Sequence, residues 1–377
     1  MNKLKVLLFS LCAMLSSCAD SELEIKLKDV LEDAVRTYGM KAIEVEKARV
    51  AAPFAFANGE EIMADGENSW AGGYFIGSLW LLSQWGEDAI LQESADVLTY
   101  RYKEPKGIDI SELTAVVNVA HYKGYNITKN PRYEEILGMV TRLMSNSFYK
   151  VPTYRMTKPV EGEPSTYHRV TINYMPAIEC FHGIGWGQNN VIHGNAVKKY
   201  LCREDGSVNE GVILDMSNPS WRKAFSVYGE NAESAWARGQ AWALYGYTML
   251  YRLTEDDAFL KQSKKIAGYI MKNLPADGIP NWDFASEKQQ KDSSAAAIMA
   301  SAFIDLYGLT GDVSYLQVAE QQLTTLSSDE YLAKADECGG FMLKHGVENY
   351  PQSKLVDASL VYGDYYFIEA MIRYLNR

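Results

Sequence analysis

Apolar residues recur at helical spacing along most of this chain. Val30, Ala34, Tyr38 and Ala42 share one face of a helix. Apolar clusters at 115–122, 136–144, 242–251, 266–271, 295–307 and 366–375 repeat the pattern. Three junctions between such runs read alike. Thr128, Thr254 and Thr310 each close an apolar run; a short polar turn follows, then an aromatic residue (Tyr133, Phe259 or Tyr315) opens the next helix. Asn130, Asp256 or Asp257, and Asp312 are the expected N-caps. Thr254 and Thr310 lie 56 residues apart (310 − 254), about one helix-turn-helix-loop unit. Units of that size must stack to bury their apolar faces, and six or so fill the chain. The expectation is an all-α array of hairpins. Two segments break the helical pattern. Residues 154–169 contain Pro159, Gly162 and Pro164, with Tyr167 and His168 at the end, and read as a loop. Residues 283–292 form a second, highly polar loop. Ligand contacts collect on such loops.

The N-terminus reads as an export signal. Lys3 and Lys5 precede an apolar run from Val6 to Leu15, too short to span a bilayer. The run ends in Leu15-Ser16-Ser17-Cys18, which looks like a bacterial lipobox. Residues 1–17 are then the signal and Cys18 the lipidated first residue of one domain, 18–377, anchored in the periplasm or outer membrane. A plain secretory signal is the alternative.

Composition narrows the rest. The net charge of −11 argues against a nucleic-acid partner, so an anionic ligand needs a local pocket. Five cysteines are present. Cys12 lies in the signal and Cys18 at its cleavage point; Cys180, Cys202 and Cys338 are an odd set and read as small apolar fillers. No C-x-x-C or metal-ligand spacing occurs, and no cofactor is implied.

Chemistry concentrates in the segment Ser234-Ala235-Trp236-Ala237-Arg238-Gly239-Gln240-Ala241-Trp242. Trp236 and Trp242 offer flat faces to a sugar ring. Arg238 can hold a carboxylate with two parallel hydrogen bonds. The competing reading makes both tryptophans core and Arg238 a structural ion pair.

This segment resembles the W-A-R-G-Q-A-W block of glycoside hydrolase family 88, the unsaturated glucuronyl hydrolases. Other blocks are similar in the same order. They are Trp70-Ala71-Gly72-Gly73-Tyr74-Phe75, Ile279-Pro280-Asn281-Trp282-Asp283-Phe284, Asp292-Ser293-Ser294-Ala295-Ala296-Ala297-Ile298 and Gly363-Asp364-Tyr365-Tyr366-Phe367. Together they cover roughly residues 65 to 377. The resemblance implies a closed six-hairpin (α/α) barrel. It also implies hydration of the double bond in an unsaturated uronic acid left by a polysaccharide lyase. A carboxylic acid protonates C4, water adds at C5, and the hemiketal opens to release the remaining sugar. Trp70, Trp236, Arg238, Trp242, Tyr228 and Tyr366 are the implied substrate contacts.

The chain departs from the family at its catalytic carboxyls. The family's first aspartate matches Asp109 in Ile108-Asp109-Ile110-Ser111-Glu112, where the usual preceding His and following Gly-Phe are missing; a helix N-cap is the other reading of Asp109. The second aspartate matches Asn173 in Ile172-Asn173-Tyr174-Met175. An amide cannot act as general acid or base near neutral pH. Two family histidines are also replaced, in Gly206-Ser207-Val208-Asn209-Glu210 and Val227-Tyr228-Gly229. Glu112, three residues after Asp109, is the first replacement candidate. Glu210, Tyr228, Glu230, Glu233, His168 and His193 follow it, each weighed against a surface or packing role. Two readings result. One is an enzyme that removes an unsaturated or modified uronic acid with a changed catalytic set. The other is an inert carbohydrate-binding or sensing lipoprotein using the same aromatic and arginine cavity.

Overall fold

The computed structural model describes residues 20–64, 70–101, 117–147, 153–154, 160, 162–334 and 337–377. Its helices are α1 (Glu22–Ala48), α2 (Trp70–Trp85), α3 (Ala89–Arg101), α4 (Lys123–Thr128), α5 (Pro131–Ser147), α6 (Ile178–Phe181), α7 (Gly187–Tyr200), α8 (Ala237–Thr254), α9 (Asp257–Asn273), α10 (Ser293–Thr310), α11 (Val313–Leu326) and α12 (Val361–Leu375). A π-helical turn (Val117–Tyr122) runs into α4, and a 3₁₀ segment (Ile172–Ala177) runs into α6.

These elements close a double ring. Inside run α2, segment 117–128, segment 172–181, α8, α10 and α12; each touches the next, and α12 returns to α2. Outside, α3, α5, α7, α9 and α11 pack on them, and α1 completes the sixth pair with α12. This is the six-hairpin (α/α) barrel. Helix composition follows the layer. Outer α9 buries only Phe259, Gln262, Ser263, Ile266, Ala267 and Ile270, one stripe. Inner α10 is buried from Ser293 through Ile304. It is long and apolar enough to cross a membrane, but here it is a core helix between α8, α11 and α12. Inner elements approach closely where glycine allows it. A Cβ on Gly77 of α2 would lie 2.8 Å from the Val119 carbonyl oxygen, and one on Gly246 of α8 would lie 2.5 Å from Met175 Cβ.

The threonine turn is one structure in three copies. Thr128, Thr254 and Thr310 donate their hydroxyls to the carbonyl four residues back, at 2.7, 2.6 and 2.7 Å. Each hydroxyl then accepts the N–H of the next helix's cap residue, Asn130, Asp256 or Asp312. Between them Lys129, Glu255 and Gly311 take left-handed backbone, with φ of 52°, 57° and 69°. Asn130, Asp256 and Asp312 bond N–H groups of the following helices, as capping residues do.

Two small antiparallel sheets, not expected from the sequence, sit at the barrel end where the inner helices begin. One has the order β2-β1-β7-β6, from β1 (Pro53–Ala57), β2 (Glu60–Met63), β6 (Gly346–Asn349) and β7 (Lys354–Leu360). The other is β3-β4-β5, from β3 (Tyr167–Thr171), β4 (Gly211–Asp215) and β5 (Asn218–Phe225). The second sheet corrects the loop expected through residue 169. Gly162 and Pro164 end the turn, and the β-branched and aromatic run Tyr167-His168-Arg169-Val170-Thr171 then pairs with β4, Tyr167 opposite Asp215 and Thr171 opposite Gly211.

Candidate active site

A cavity of about 320 Å³ opens at that end of the barrel. Trp70 begins α2, Trp236 and Arg238 begin α8, Asp292 caps α10 and Tyr362 begins α12. Four inner helices therefore point their N-termini at one space, which favours a negatively charged occupant. The sheets supply the rest of the wall: Arg169 and Thr171 from β3, Phe225 from β5 and Glu348 from β6.

Trp70, Asn173, Tyr228, Trp236, Arg238 and Trp242 all line this cavity. Tyr228 stacks on Trp236 with ring centres 4.9 Å apart, and Trp70 stacks on Tyr362 at 5.5 Å. Tyr366 is not at the wall; it is buried and meets Trp242 edge-on at 5.1 Å. Asp109, Glu112 and Cys18 lie outside the described residues. Of the alternates, Glu210 lines the cavity, while Glu230 and Glu233 are exposed. His168 lies on β3. His193 is a packed residue. Its Nδ1 accepts the Tyr154 N–H at 3.2 Å and lies 2.8 Å from Thr153 Oγ1, and burial depresses its pKa to about 3.

The tryptophan-arginine block lies at the cavity and is also tied into the frame. The indoles face the cavity, yet Arg238 is also a structural cation. Its Nη1 donates to Asp292 Oδ2 at 3.3 Å and to the Val347 carbonyl, and its Nη2 donates to the Glu348 carbonyl at 2.8 Å. The guanidinium carbon lies 4.6 Å from the Trp236 ring centre and 5.0 Å from that of Tyr362. Burial works against the charge, but Tyr362, Asp292, Tyr228 and Glu348 together hold the guanidinium above its ordinary pKa. The family's other carboxylates are also bonded inward. Asp283 takes the N–H groups of Glu230, Ala235 and Ala285 and the Ser234 hydroxyl. Asp364 takes the Tyr38 hydroxyl and the N–H groups of Met342 and Leu343. Glu210 Oε2 gathers the Ser226 hydroxyl at 2.6 Å and the N–H groups of Val227, Tyr228 and Gly229 at 2.9, 2.9 and 3.3 Å. It thereby shapes the loop that carries Tyr228.

Other polar atoms of the cavity lining are bonded differently. Arg169 Nε, Thr171 Oγ1, Asn173 Oδ1, Glu348 Oε2 and Tyr362 Oη are buried and have no hydrogen-bond partner within the described residues. Buried polar atoms are normally paired, so a set of them around one cavity marks where a polar ligand would bond. The sequence reading missed Arg169 and Glu348. Arg169 had a signal: 169 and 171 alternate along an extended strand and so share a face, just before Asn173. Glu348 had none, being one acidic residue in a polar stretch.

No protein-family model matches the chain. It is 33% identical over 326 residues to the unsaturated glucuronyl hydrolase of Formosa agariphila, covering 81% of this chain and 80% of that one. It is 25% identical over 324 residues to the unsaturated chondroitin disaccharide hydrolase of Streptococcus pyogenes serotype M1, with 81% of each covered. Among solved structures it is similar to an unsaturated glucuronyl hydrolase specific for heparin, with a TM-score of 0.85, 30% identity, and 93% of this chain and 98% of that one covered. The Bacillus sp. GL1 unsaturated glucuronyl hydrolase shares the fold, with a TM-score of 0.82 at 20% identity, covering 92% of this chain and 96% of that one. With this barrel, this cavity and these relatives, the chain belongs to glycoside hydrolase family 88, the unsaturated glucuronyl hydrolases.

Proposed function

We propose that this glycoside hydrolase removes an unsaturated, or otherwise modified, uronic acid from the non-reducing end of lyase-generated oligosaccharides. The observation that carries the reading is the cavity itself. Aromatic faces from Trp70, Tyr228, Trp236 and Trp242 surround two guanidinium groups at the meeting point of four helix N-termini. Its size suits a small-molecule site. The sugar ring stacks on the indoles. Its carboxylate takes the positive end of the site, from Arg238 donors not already bonded or from Arg169. Hydration then needs one group that gives a proton to C4 and takes one from water. The test is incubation with lyase-generated unsaturated disaccharides, followed by loss of the double-bond absorbance in the ultraviolet. No loss with any such substrate rejects the reading.

The amide at Asn173 favours a second reading, a carbohydrate-binding protein without turnover. Binding of the same disaccharides without loss of absorbance would select it.

The N-terminal signal supports export with a lipid on Cys18. Cys18→Ser should leave the precursor unprocessed or release the protein from the membrane fraction. Unchanged membrane fractionation rejects the anchor.

A further inference from the structure

We propose that Glu348 is the proton-transfer residue of this site, taking over from the aspartate that Asn173 replaces. The assignment rests on the hydration reading above. Two carboxyl groups line the cavity among the described residues, Glu210 and Glu348. Glu210 Oε2 is held by four donors. Glu348 has one donor against those four. Its Oε1 lies 3.3 Å from Lys354 Nζ, while its Oε2 is buried without a hydrogen-bond partner. The side chain is 94% buried, whereas Lys354 is 56% exposed, so the ion pair gives the fold little.

Position adds a second argument. Arg238 donates to the carbonyls of Val347 and Glu348, which fixes the β6 backbone against the guanidinium. A uronate carboxylate drawn to Arg238 sits on C5, so the C4=C5 bond lies next to that backbone and to the side chain of Glu348. Lys354 on β7 holds Oε1 from the far side. Asn173 Oδ1, also unpartnered, is left to bond a substrate hydroxyl or the attacking water.

The step balances with one carboxyl group. Glu348 Oε2 gives its proton to C4, the C4=C5 π electrons form the new C4–H bond, and C5 becomes an oxocarbenium with the ring oxygen. Water forms the C5–O bond and returns its proton to the Glu348 carboxylate. The C5 hemiketal then opens by breaking its bond to the ring oxygen. The resulting C1 hemiacetal collapses, expelling the remaining sugar.

The experiment uses the full chain and a lyase-generated disaccharide with a 4,5-unsaturated uronic acid. Glu348→Gln should lower kcat by about 10²–10⁴-fold with KM changed only a few-fold. It should remove one limb of the pH–rate profile while the melting temperature stays near wild type. Glu348→Asp should recover part of the rate. Wild-type activity with Glu348→Gln within threefold and an unchanged pH profile overturns the assignment alone. A wild type without turnover overturns both the assignment and the hydration reading. Should Glu348→Gln fail to fold, Lys354→Met is decisive. Removing the cation beside Oε1 should move the alkaline limb of the profile, where the proton donor is lost, to higher pH, and an unmoved profile overturns the assignment.

Discussion

The frame beneath the cavity, here its floor, and the lining that faces a ligand, here its wall, contain the same kinds of side chain, and they are bonded in opposite ways. On the floor, Arg238, Asp283, Asp292 and Asp364 bond to backbone groups and to one another. On the wall, Arg169, Thr171, Asn173 and Glu348 keep buried polar atoms without a partner among the described residues. The floor holds the blocks by which the family is identified. The wall holds Asn173, where the resemblance expects an aspartate. Residues that fix the frame must be kept for the barrel to close, whereas residues that meet the ligand can change with the chemistry.

Four substitutions can break or sharpen this contrast. The largest effect is expected from Arg238→Ala. It leaves Asp292 Oδ2 without its donor, breaks a buried ion pair and removes the guanidinium bonds to the carbonyls of Val347 and Glu348, so about 3–5 kcal/mol of stability should be lost. Urea unfolding without substrate measures it. A near-neutral result would make Arg238 a ligand residue with no role in the frame.

Asp364 gives the next effect, on stability against pH. Burial raises its pKa to about 7, although the Met342 and Leu343 N–H groups and the Tyr38 hydroxyl bond to it and lower it. In the unfolded chain the value is about 3.9. Between these values the native state binds the extra proton, so this residue's contribution falls as pH rises from about 4 to about 7. The full difference is worth about 4 kcal/mol. Asp364→Asn should therefore flatten the stability curve over that range and destabilise less at pH 8 than at pH 5. An equal loss at both values would refute the coupling.

Arg169→Met tests the wall. A charge-assisted bond to an anionic substrate is worth about 1.5–3 kcal/mol. KM should therefore rise about 10–100-fold, with little change in melting temperature because the described bonding of Arg169 to the fold is one cation–π contact with Phe225. A large loss of stability with KM unchanged would move Arg169 to the frame.

Asn173→Asp should do least. With proton transfer placed elsewhere, a new carboxyl here adds only repulsion toward the substrate carboxylate, and turnover should stay within about tenfold of wild type or fall. A gain of about 10²-fold would return the proton-transfer role to this position.

The sequence revealed most where local rules and tertiary demands agree. The threonine turns could be read because Thr, a left-handed residue and an Asx cap solve the same local problem three times. The apolar stripes gave the helices, and the resemblance gave ring closure. The sheets were missed because their strands are only four to eight residues long, interrupted by turns, and set by pairing across distant segments. In the site, aromatic residues could be found as a cluster in sequence. Glu348 could not, since its burial arises only when β6 pairs with β7 and Arg238 reaches its backbone. Asp283 and Asp364 stood in family blocks, and nothing local marks them as acceptors for backbone N–H groups.

The seam of the ring has a consequence for how this chain folds. Strand β1 pairs with β7, and the Tyr38 hydroxyl meets Asp364 across 326 residues of sequence. Trp70 stacks on Tyr362, so two walls of the cavity come from opposite ends of the barrel domain. Threonine-turn hairpins can form as soon as their own residues exist, because their contacts are local. The cavity cannot, because it waits for residues 346–375 to return to 53–85. The loop-closure entropy grows only slowly with length, but contacts this distant are slow to find. Folding should thus end with the assembly of the site, and a chain stalled before residue 346 holds hairpins and an open groove in place of a pocket.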